Sequence, residues 1–406
     1  MSSTEKTILL ENRYVMPTYG RAKIVLDRGK GTVVRDAKGK AYLDFIGGIA
    51  TVPVGHAHPA VVAAIARQAK KIINVTNLYY TEPMAELAHR LVEASGMKAK
   101  VFFCNSGTEA VEGALKLARR YTWKTDIVAT EHSFHGRTMG ALSATWKKQY
   151  KEPFAPLVPG FSHIPFNDVA SLEKSLTDRT AAFLVEPIQG EGGIRIPARD
   201  YLVRAQAACA AKKVLLAADE IQTGLGRTGR FFAFQHEDGV HPDIITLAKG
   251  LGGGVPIGAI LAKNYVADAF EKGDHGSTFG GNALACAAAL AVLDVIRKEK
   301  LIDHAAVMGR YFVQQLEAFV TEHAFVEDVR GKGLMIGVEC SGPVAPLVDK
   351  ARDLGLLVNA ADGTVLRFLP PLTVSKSEID RAIGILGEVF TWAGEKGILK
   401  SKKLRE

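Results

Sequence analysis

Two charged residues stand where the surrounding sequence is apolar. Asp219 ends the apolar run 214–219, and Lys249 follows the apolar run 244–248 and precedes a glycine-rich stretch, GLGGGVP. A carboxylate buried at a strand end needs a partner, which is either a helix cap, an ion pair or a cationic ligand atom. Lysine is ordinarily a solvated surface charge, but burial here is expected to lower its pKa, as Schiff-base chemistry requires. A carboxylate that faces a pyridinium nitrogen, together with a Schiff-base lysine, is typical of pyridoxal phosphate enzymes.

A phosphate site is predicted at NSGTEA, residues 105–110, which follows an apolar run and opens a helical pattern. Ser106 and Glu109 have the spacing of a capping box. The first N–H groups of the helix, the small Gly107 and the hydroxyls of Ser106 and Thr108 together suit an anion. A helix that is merely capped fits the same residues. The two charged residues described above favour cofactor binding.

The fingerprint G-x-G-x-x-G, typical of dinucleotide-binding folds, occurs at GLGRTG, residues 224–229. In those folds the first glycine follows a strand directly, and a helix opens inside the motif. Here residues 220–223 separate the motif from the preceding strand, and RFFAF, a poor helix start, follows it. Asp243 lies near the offset of a ribose-binding carboxylate, but it precedes a strand instead of ending one. The pattern therefore predicts a tight irregular loop and disfavours a dinucleotide-dependent oxidoreductase.

Short apolar runs alternate with helical patterns through the middle of the chain. Several runs are apolar throughout, as in strands covered on both faces. Helices are predicted at 109–120 and 201–213, so the pattern favours an α/β fold with a mostly parallel sheet and ligands at the carboxyl ends of its strands. The predicted strands are 101–104, 127–130, 181–186, 214–219, 244–248 and 258–262.

The two ends of the chain have a different pattern. Residues 23–45 predict short strands joined by turns. Beyond about residue 295 the pattern predicts a long helix, strands near 334–339 and 365–368, and a final helix from Lys376. We therefore expect a smaller α+β domain built from both termini, residues 1–48 and 296–406, and a large domain over residues 49–295. The Ala-rich run 283–293 is too short to cross a bilayer and predicts a buried helix.

Composition indicates a globular chain without a membrane or nucleic-acid partner. It has 406 residues, 47% hydrophobic and 23% charged, with a formal net charge of +8, and its length predicts two or three domains. Only KSKKLR, residues 400–405, is locally basic, so attraction for small anions is favoured over nucleic-acid binding. The N-terminal segment has no apolar signal core, and the four cysteines form no C-x-x-C pair. These features predict reduced cysteines in a cytoplasmic protein.

Several motifs, in this order, resemble those of the class III aminotransferases of the fold-type I pyridoxal phosphate superfamily. The resemblance covers nearly the whole chain and is highly specific for the class. The motifs are GHAHP (55–59), NLYY (77–80), FCNSGTE (103–109), FHGRT (134–138), EPIQGEG (186–192), DEIQTGLGRTG (219–229), LAKG (247–250), STFGGN (277–282) and LRFLPP (366–371).

This resemblance implies a site for pyridoxal 5′-phosphate. It implies that Lys249 carries the cofactor through a Schiff base and then moves the proton, while Asp219 keeps the pyridine nitrogen protonated. It also implies that Ser106, Gly107 and Thr108 hold the phosphate. The other implied cofactor contacts are Phe134 and Ile221 on the two ring faces, Gln222 near the 3-oxygen, and His135.

The resemblance also implies substrate contacts and a dimer. Arg137 is expected to bind the substrate α-carboxylate through a bidentate pair, and Ser277 is a further expected substrate contact. Glu186 and Arg367 are expected to form a switch, in which Glu186 masks Arg367 for one substrate and swings away for glutamate or 2-oxoglutarate. A permanent ion pair is the alternative. A homodimer is implied, with Thr278 reaching the phosphate of the neighbouring subunit's cofactor.

Within the class, the chain is most similar to the acetylornithine aminotransferases of arginine biosynthesis. This implies transfer of the terminal amino group of N-acetylornithine to 2-oxoglutarate by ping-pong kinetics. Residues 48–55, GIATVPVG, depart from the usual pattern of Asn and Leu, and Thr51 and Pro53 are expected to line the side-chain pocket. Ornithine, succinyl-diaminopimelate, N-acetyl-lysine-type and 4-aminobutyrate substrates therefore stay open.

Two further predictions concern other classes of protein. A non-catalytic binding protein with the pyridoxal phosphate fold is the alternative to an enzyme, and the presence of Lys249 and Asp219 disfavours it. His56-x-His58 and His132-x-x-His135 lack the carboxylate or cysteine partners of a zinc site, so no metal is predicted.

Overall fold

A computed structural model describes residues 2–399 of the chain. Ser106, Asn282 and Ser375 each cap a helix by accepting a hydrogen bond from the backbone of the residue three positions on. Within the described residues, none of the helices combines the length and apolar character that crossing a lipid bilayer requires. The α-helices are α1 (Ser3–Tyr14), α2 (Gly47–Ala50), α3 (Pro59–Ala69), α4 (Glu82–Ser95), α5 (Gly107–Thr122), α6 (Met139–Ala144), α7 (Lys148–Lys151), α8 (Val169–Ser175), α9 (Tyr201–Ala211), α10 (Asn264–Ala267), α11 (Ala283–Lys298), α12 (Leu301–Glu322), α13 (Ala345–Asp353) and α14 (Lys376–Glu395), with 3-10 turns at Glu152–Phe154, Ala233–His236 and Lys249–Gly252.

The strands of residues 2–399 form three sheets. They are β1 (Leu26–Lys30), β2 (Val33–Asp36), β3 (Ala41–Asp44), β4 (Ala99–Cys104), β5 (Asp126–Thr130), β6 (Phe161–Ile164), β7 (Thr180–Val185), β8 (Leu215–Asp219), β9 (Ile244–Leu247), β10 (Gly258–Lys263), β11 (Val326–Lys332), β12 (Met335–Cys340), β13 (Leu356–Leu357), β14 (Asn359–Ala361) and β15 (Val365–Phe368). The central sheet has the order β4-β10-β9-β8-β7-β5-β6, and the two smaller sheets have the orders β1-β2-β3-β13 and β11-β12-β15-β14.

The central sheet has the mostly parallel arrangement that the sequence predicts. Strands β5 to β9 pair in parallel, whereas β10 is antiparallel to both β9 and β4. Leu215 and Ala217 of β8 belong to the same hydrophobic cluster as α5, and Leu216 belongs to the cluster of α9. Helices therefore cover both faces, which explains the uninterrupted apolar runs. All six predicted strands are confirmed within two residues at each end.

The smaller sheets join the two ends of the chain. The N–H of Leu43 donates to the carbonyl of Gly355 at 2.8 Å, and the N–H of Phe45 donates to the carbonyl of Leu357 at 2.9 Å. In this way β13, from the C-terminal part, extends the sheet of β1, β2 and β3. The division into domains at residues 48 and 295 stays a prediction.

Other elements match or extend the predictions. The buried helix predicted at 283–293 is confirmed as part of α11, and α14 begins at Lys376 as predicted. Residues 220–229 form an irregular loop, with left-handed φ angles of 90° at Gly226 and 87° at Gly229. The sequence did not predict α1, which buries none of its residues, or β6, whose sequence FSHI has polar residues at its two central positions. The basic segment 400–405 lies outside the described residues.

The carboxyl ends of four strands lie at one edge of the central sheet. Strands β7, β8 and β9 are parallel, and β4 points the same way as β9 because β10 is antiparallel to both. Ser106, Glu186, Asp219 and Lys249 stand at or just beyond these ends. Open α/β sheets bind ligands at this edge.

Candidate active site

A cavity of about 420 Å³ lies at this edge of the sheet. Its volume is in the range of small-molecule sites. Thr51 belongs to residues 48–55, the stretch that departs from the usual pattern, and it lines the cavity as expected. Pro53, from the same stretch, is not among the lining residues. Arg367, Ser277 and Thr278 are not among them either. The predicted site residues that line it are Ser106, Gly107, Thr108, Phe134, His135, Arg137, Glu186, Asp219, Ile221, Gln222 and Lys249.

Asp219 is held in place by three donors. Its Oδ2 lies 2.6 Å from His135 Nδ1, and its Oδ1 accepts from Thr246 Oγ1 at 3.2 Å and from the N–H of Ile221 at 3.1 Å. Burial lowers the pKa of His135, but the hydrogen bond and charge of Asp219 and the charge of Glu186 outweigh it, so this pKa is raised overall. The carboxylate of Asp219 is therefore buried, held in one orientation and paired with a histidine, which can carry a positive charge.

Lys249 projects from a strained backbone. Its φ of 44° is in the left-handed region, which is uncommon for residues other than glycine. Burial lowers the pKa of Lys249, and the nearby Arg367 lowers it further, against the opposing charges of Glu191, Asp219 and Glu186. Within residues 2–399, no hydrogen bond or ion pair engages its amino group. An amine that makes no hydrogen bond, and whose pKa is lowered, therefore faces the cavity.

The start of α5 forms another part of the cavity wall. Ser106 caps the helix by accepting from the N–H of Glu109 at 3.3 Å, which confirms the predicted cap. The carboxylate of Glu109, however, accepts from the N–H of Asn105 and not from that of Ser106. A Cβ added at Gly107 would lie 2.9 Å from Ile221 Cδ1, so a side chain here would crowd the cavity wall. The first N–H groups of α5 and the positive end of its dipole suit a phosphate.

The segment 134–137 contributes an aromatic ring and a cation. The N–H of Phe134 donates to Glu186 Oε2 at 3.0 Å. The guanidinium of Arg137 is exposed and stacks over the ring of Tyr150, 3.7 Å from its centroid. Tyr150 was not identified from the sequence, because nothing in its local pattern distinguishes it from a packing residue.

The expected ion pair between Glu186 and Arg367 is wrong. Arg367 Nη1 donates to Glu191 Oε1 at 2.6 Å. Glu186 instead accepts from the backbone N–H groups of Phe134 and Gly190, the latter at 3.1 Å. Burial, with the charge of Asp219, raises the pKa of Glu186 to about 7. The motif EPIQGEG contains two glutamates, and the second of them, Glu191, is the partner of Arg367 that the sequence prediction missed.

Glu191 has the properties of an exchangeable partner. Burial raises its pKa, but the charges of Arg367 and Lys249 and the hydrogen bonds from Arg367 and Gln222 lower it overall, so the group is held ionised. Its side chain keeps 32% of its surface exposed, whereas that of Arg367 has none. The carboxylate therefore has a path out of the pair, and the guanidinium does not.

Ser277 and Thr278 lie outside the cavity of their own chain. Ser277 Oγ accepts from Asn105 Nδ2 at 3.1 Å, which connects it to the residue before the phosphate-site cap. Thr278 is exposed. Neither residue lines the cavity that contains Lys249 and Asp219.

The histidine pairs have other partners. His56 Nε2 lies 2.7 Å from Asp44 Oδ2, and His58 caps α3 by accepting from the N–H of Ala60. Among residues 2–399, no group of three or more His, Cys, Asp or Glu side chains is placed to hold a metal ion.

The chemical groups around the cavity match the parts of pyridoxal phosphate. A carboxylate, a free amine and a helix start correspond to a protonatable ring nitrogen, an aldehyde and a phosphate. Within the described residues, His135 Nε2 and Arg367 Nη2 are buried without a hydrogen-bond partner. Fold and site together define a pyridoxal-phosphate-dependent transferase.

The chain belongs to the class III aminotransferases, whose family model matches residues 14–390. It is 50% identical over 395 residues to the acetylornithine aminotransferase of Methanocaldococcus jannaschii, a match that covers 96% of this chain and 99% of the relative. Its substrates are therefore amino acids and keto acids, and its cofactor is pyridoxal 5′-phosphate.

Two solved structures are similar over almost the whole chain. One is the ornithine aminotransferase from Toxoplasma gondii, described as having partial occupancy of PLP at its active site, with a TM-score of 0.92, 37% identity and coverage of 97% of this chain and 95% of that one. The other is the acetylornithine aminotransferase from Elizabethkingia anophelis, with a TM-score of 0.86, 35% identity and coverage of 96% and 100%.

Proposed function

We propose that the chain transfers the terminal amino group of N-acetylornithine to 2-oxoglutarate by ping-pong kinetics, giving the semialdehyde and glutamate. The 50% identity to an acetylornithine aminotransferase supports the choice of donor. The observation that carries the proposal is the buried ion pair of Arg367 with Glu191 close to the amine of Lys249. Such a pair can present either a neutral surface or a bare cation to the substrate.

The proton-transfer step falls to Lys249. The bound pyridoxal phosphate supplies an electron sink for the carbon that loses its proton. Lys249 Nζ, whose pKa burial lowers, would accept the proton that the amine-bearing carbon of the substrate loses, and would donate it back later in the proton shift. Asp219, fixed by His135 and Thr246, is the carboxylate that would stabilise a proton on the ring nitrogen of the cofactor.

Further lining residues hold and orient the cofactor. Ser106, Gly107 and Thr108 offer the phosphate hydroxyl and N–H donors at the start of α5. Phe134 and Ile221 supply apolar surface for the two ring faces. In addition, Gln222 and His135 supply polar atoms at the ring edge.

Arg367 and Glu191 allow one site to take two unlike side chains. A neutral side chain beside a bare buried cation pays for desolvation without an ionic partner. Glu191 removes that cost while it is paired, and the distal carboxylate of 2-oxoglutarate replaces it when it leaves. Its partial exposure supports this movement.

Arg137 is the proposed anchor for the substrate α-carboxylate. It lines the cavity, and the face of Tyr150 orients its planar guanidinium. A planar fork of donors suits a carboxylate through a bidentate pair. Ser277 is a further proposed substrate contact through its link to Asn105.

We also propose a homodimer in which Thr278 contacts the partner's cofactor phosphate. Asn77 Nδ2 donates to the carbonyls of Ser277 at 3.1 Å and Gly280 at 2.9 Å, so segments 77–80 and 277–280 form one surface. Leu78, Tyr80 and Phe279 are exposed on these segments. Contiguous exposed apolar side chains of this size are typical of protein interfaces. The four buried free cysteines support the expected cytoplasmic location.

Ornithine is the second candidate donor, because an ornithine aminotransferase is among the similar structures, at a TM-score of 0.92. A donor screen with the holoenzyme and 2-oxoglutarate separates the candidates. It compares kcat/KM for N-acetylornithine, ornithine, succinyl-diaminopimelate, N-acetyl-lysine and 4-aminobutyrate. N-acetylornithine is expected to be the best donor. A higher kcat/KM for ornithine would reassign the substrate, and cofactor binding without turnover of any donor would favour a binding protein.

A further inference from the structure

The surroundings of Arg367 are asymmetric. On one side, Nη1 donates to Glu191 Oε1 at 2.6 Å and to Gln222 Oε1 at 3.4 Å. On the other side, Nε donates to Asn359 Oδ1 at 3.3 Å. Within residues 2–399, Nη2 has no hydrogen-bond partner. A charged, exchangeable partner therefore holds one side of the guanidinium, and a neutral amide holds the other.

The strand pairing of the sheet places the amide of Asn359 next to Arg367. Asn359 of β14 lies directly opposite Arg367 of β15, and Gly337 of β12 lies opposite it on the other side. Directly opposed residues share one face of a sheet. Gly337 offers no side chain, and a Cβ there would lie 2.9 Å from Val365 Cγ1. Of the two cross-strand neighbours, only Asn359 can therefore hold the Arg367 side chain.

The amide of Asn359 is uncharged, and this matters because one site must take two unlike substrate side chains. A buried guanidinium needs an acceptor at Nε, because an unpaired buried donor is costly. A carboxylate at position 359 would also accept, but it would neutralise the cation permanently and repel an incoming dicarboxylate. An amide carbonyl accepts the hydrogen bond and adds no charge.

We propose that Asn359 is a positioning residue for dicarboxylate recognition: its side-chain carbonyl holds Arg367 through Nε and leaves both Nη groups to the distal carboxylate. The guanidinium then keeps its orientation when Glu191 moves away. This inference rests on the proposed function of Arg367.

Calorimetric titration of the holoenzyme with glutarate and with pentanoate tests the proposal. The two probes have the same number of carbons and differ in the distal carboxylate. Asn359→Asp should raise the Kd of glutarate about tenfold or more, and the Michaelis constant of the keto-acid acceptor with it. The Kd of pentanoate and the Michaelis constant of N-acetylornithine should change little. The matched control is Ala360→Asp, because Ala360 is exposed and the next residue of a strand points to the opposite face.

Asn359→Leu gives a second test that adds no charge. Leucine has a similar size but accepts no hydrogen bond, so glutarate should again bind more weakly while pentanoate does not. Equal effects on glutarate and pentanoate in both variants, or none in either, would overturn the role of Asn359. A wild-type enzyme that binds both probes equally would refute the dicarboxylate role of Arg367 itself, and this inference with it.

Discussion

Replacement of Glu191 by glutamine most directly tests the proposed switch between Glu191 and Arg367. Glu191→Gln keeps the size of the side chain and an acceptor oxygen, but it removes the charge that faces Arg367. In the wild type, Glu191 Oε1 lies 2.6 Å from Arg367 Nη1. In the variant, no protein carboxylate neutralises the guanidinium, so only the distal carboxylate of the acceptor can pair with it, and N-acetylornithine meets a bare cation.

The structure sets the size of the expected effect. A hydrogen bond to a charged group contributes about 1.5–3 kcal/mol. The side chain of Glu191 is 32% exposed, so solvent screening puts the value near the lower end. A loss of about 1.5–2 kcal/mol corresponds to a roughly 10- to 30-fold lower kcat/KM for N-acetylornithine. The specificity constant for the acceptor, 2-oxoglutarate, should hold or rise, because no carboxylate has to be displaced.

The assay follows each half-reaction separately, in single turnovers of the holoenzyme, by the absorbance of the bound cofactor. Glu186→Gln is the matched control, since Glu186 is the other carboxylate of the same motif. It accepts from the backbone of Phe134 and Gly190, so its replacement should slow both half-reactions alike. An equal loss in both half-reactions for Glu191→Gln, or a changed selectivity for Glu186→Gln, would refute the assignment.

Three further predictions concern the amine, the buried acid beside Asp219 and the backbone under the phosphate site. Lys249→Ala should abolish both turnover and the visible absorbance that depends on the covalent link to the cofactor. Burial raises the pKa of Glu220 to about 7 from 4.5, so its contribution to stability is present below about pH 4.5 and is lost as pH rises through 7. Urea unfolding should therefore show that the free energy of unfolding of the wild type falls by about 3 kcal/mol relative to that of Glu220→Gln between those pH values. A difference in unfolding free energy that stays constant over this pH range would contradict the prediction. A Cβ at Gly258 would lie 2.5 Å from the carbonyl of Ser106, so Gly258→Ala should cost about 1–3 kcal/mol of stability and weaken cofactor binding, measured by thermal unfolding and cofactor titration.

Much of the fold follows from local pattern. The apolar runs of β7, β8 and β9 are buried on both faces, so their hydrophobicity marks them directly. Ser106 and Asn282 cap helices through bonds that span three residues. The edge strand β6 was missed, because a half-exposed strand carries too few apolar residues to stand out.

The chemical core of the site was also readable from the sequence. Asp219 ends β8 and Lys249 follows β9, and neighbouring parallel strands bring their ends to one edge of the sheet. The residue types and their place relative to the strands were therefore sufficient to predict that the two groups share a cavity.

The partner of Arg367 was decided only by tertiary structure. Glu186 and Glu191 belong to one short motif, and either carboxylate has the right chemistry. The path of the backbone turns Glu186 towards the N–H groups of Phe134 and Gly190, while Glu191 meets a guanidinium that comes from 176 residues away in the chain. Local sequence determines which groups are present, but the choice between two like charges depends on distances that only the folded chain sets, because electrostatic and hydrogen-bond energies fall steeply with separation.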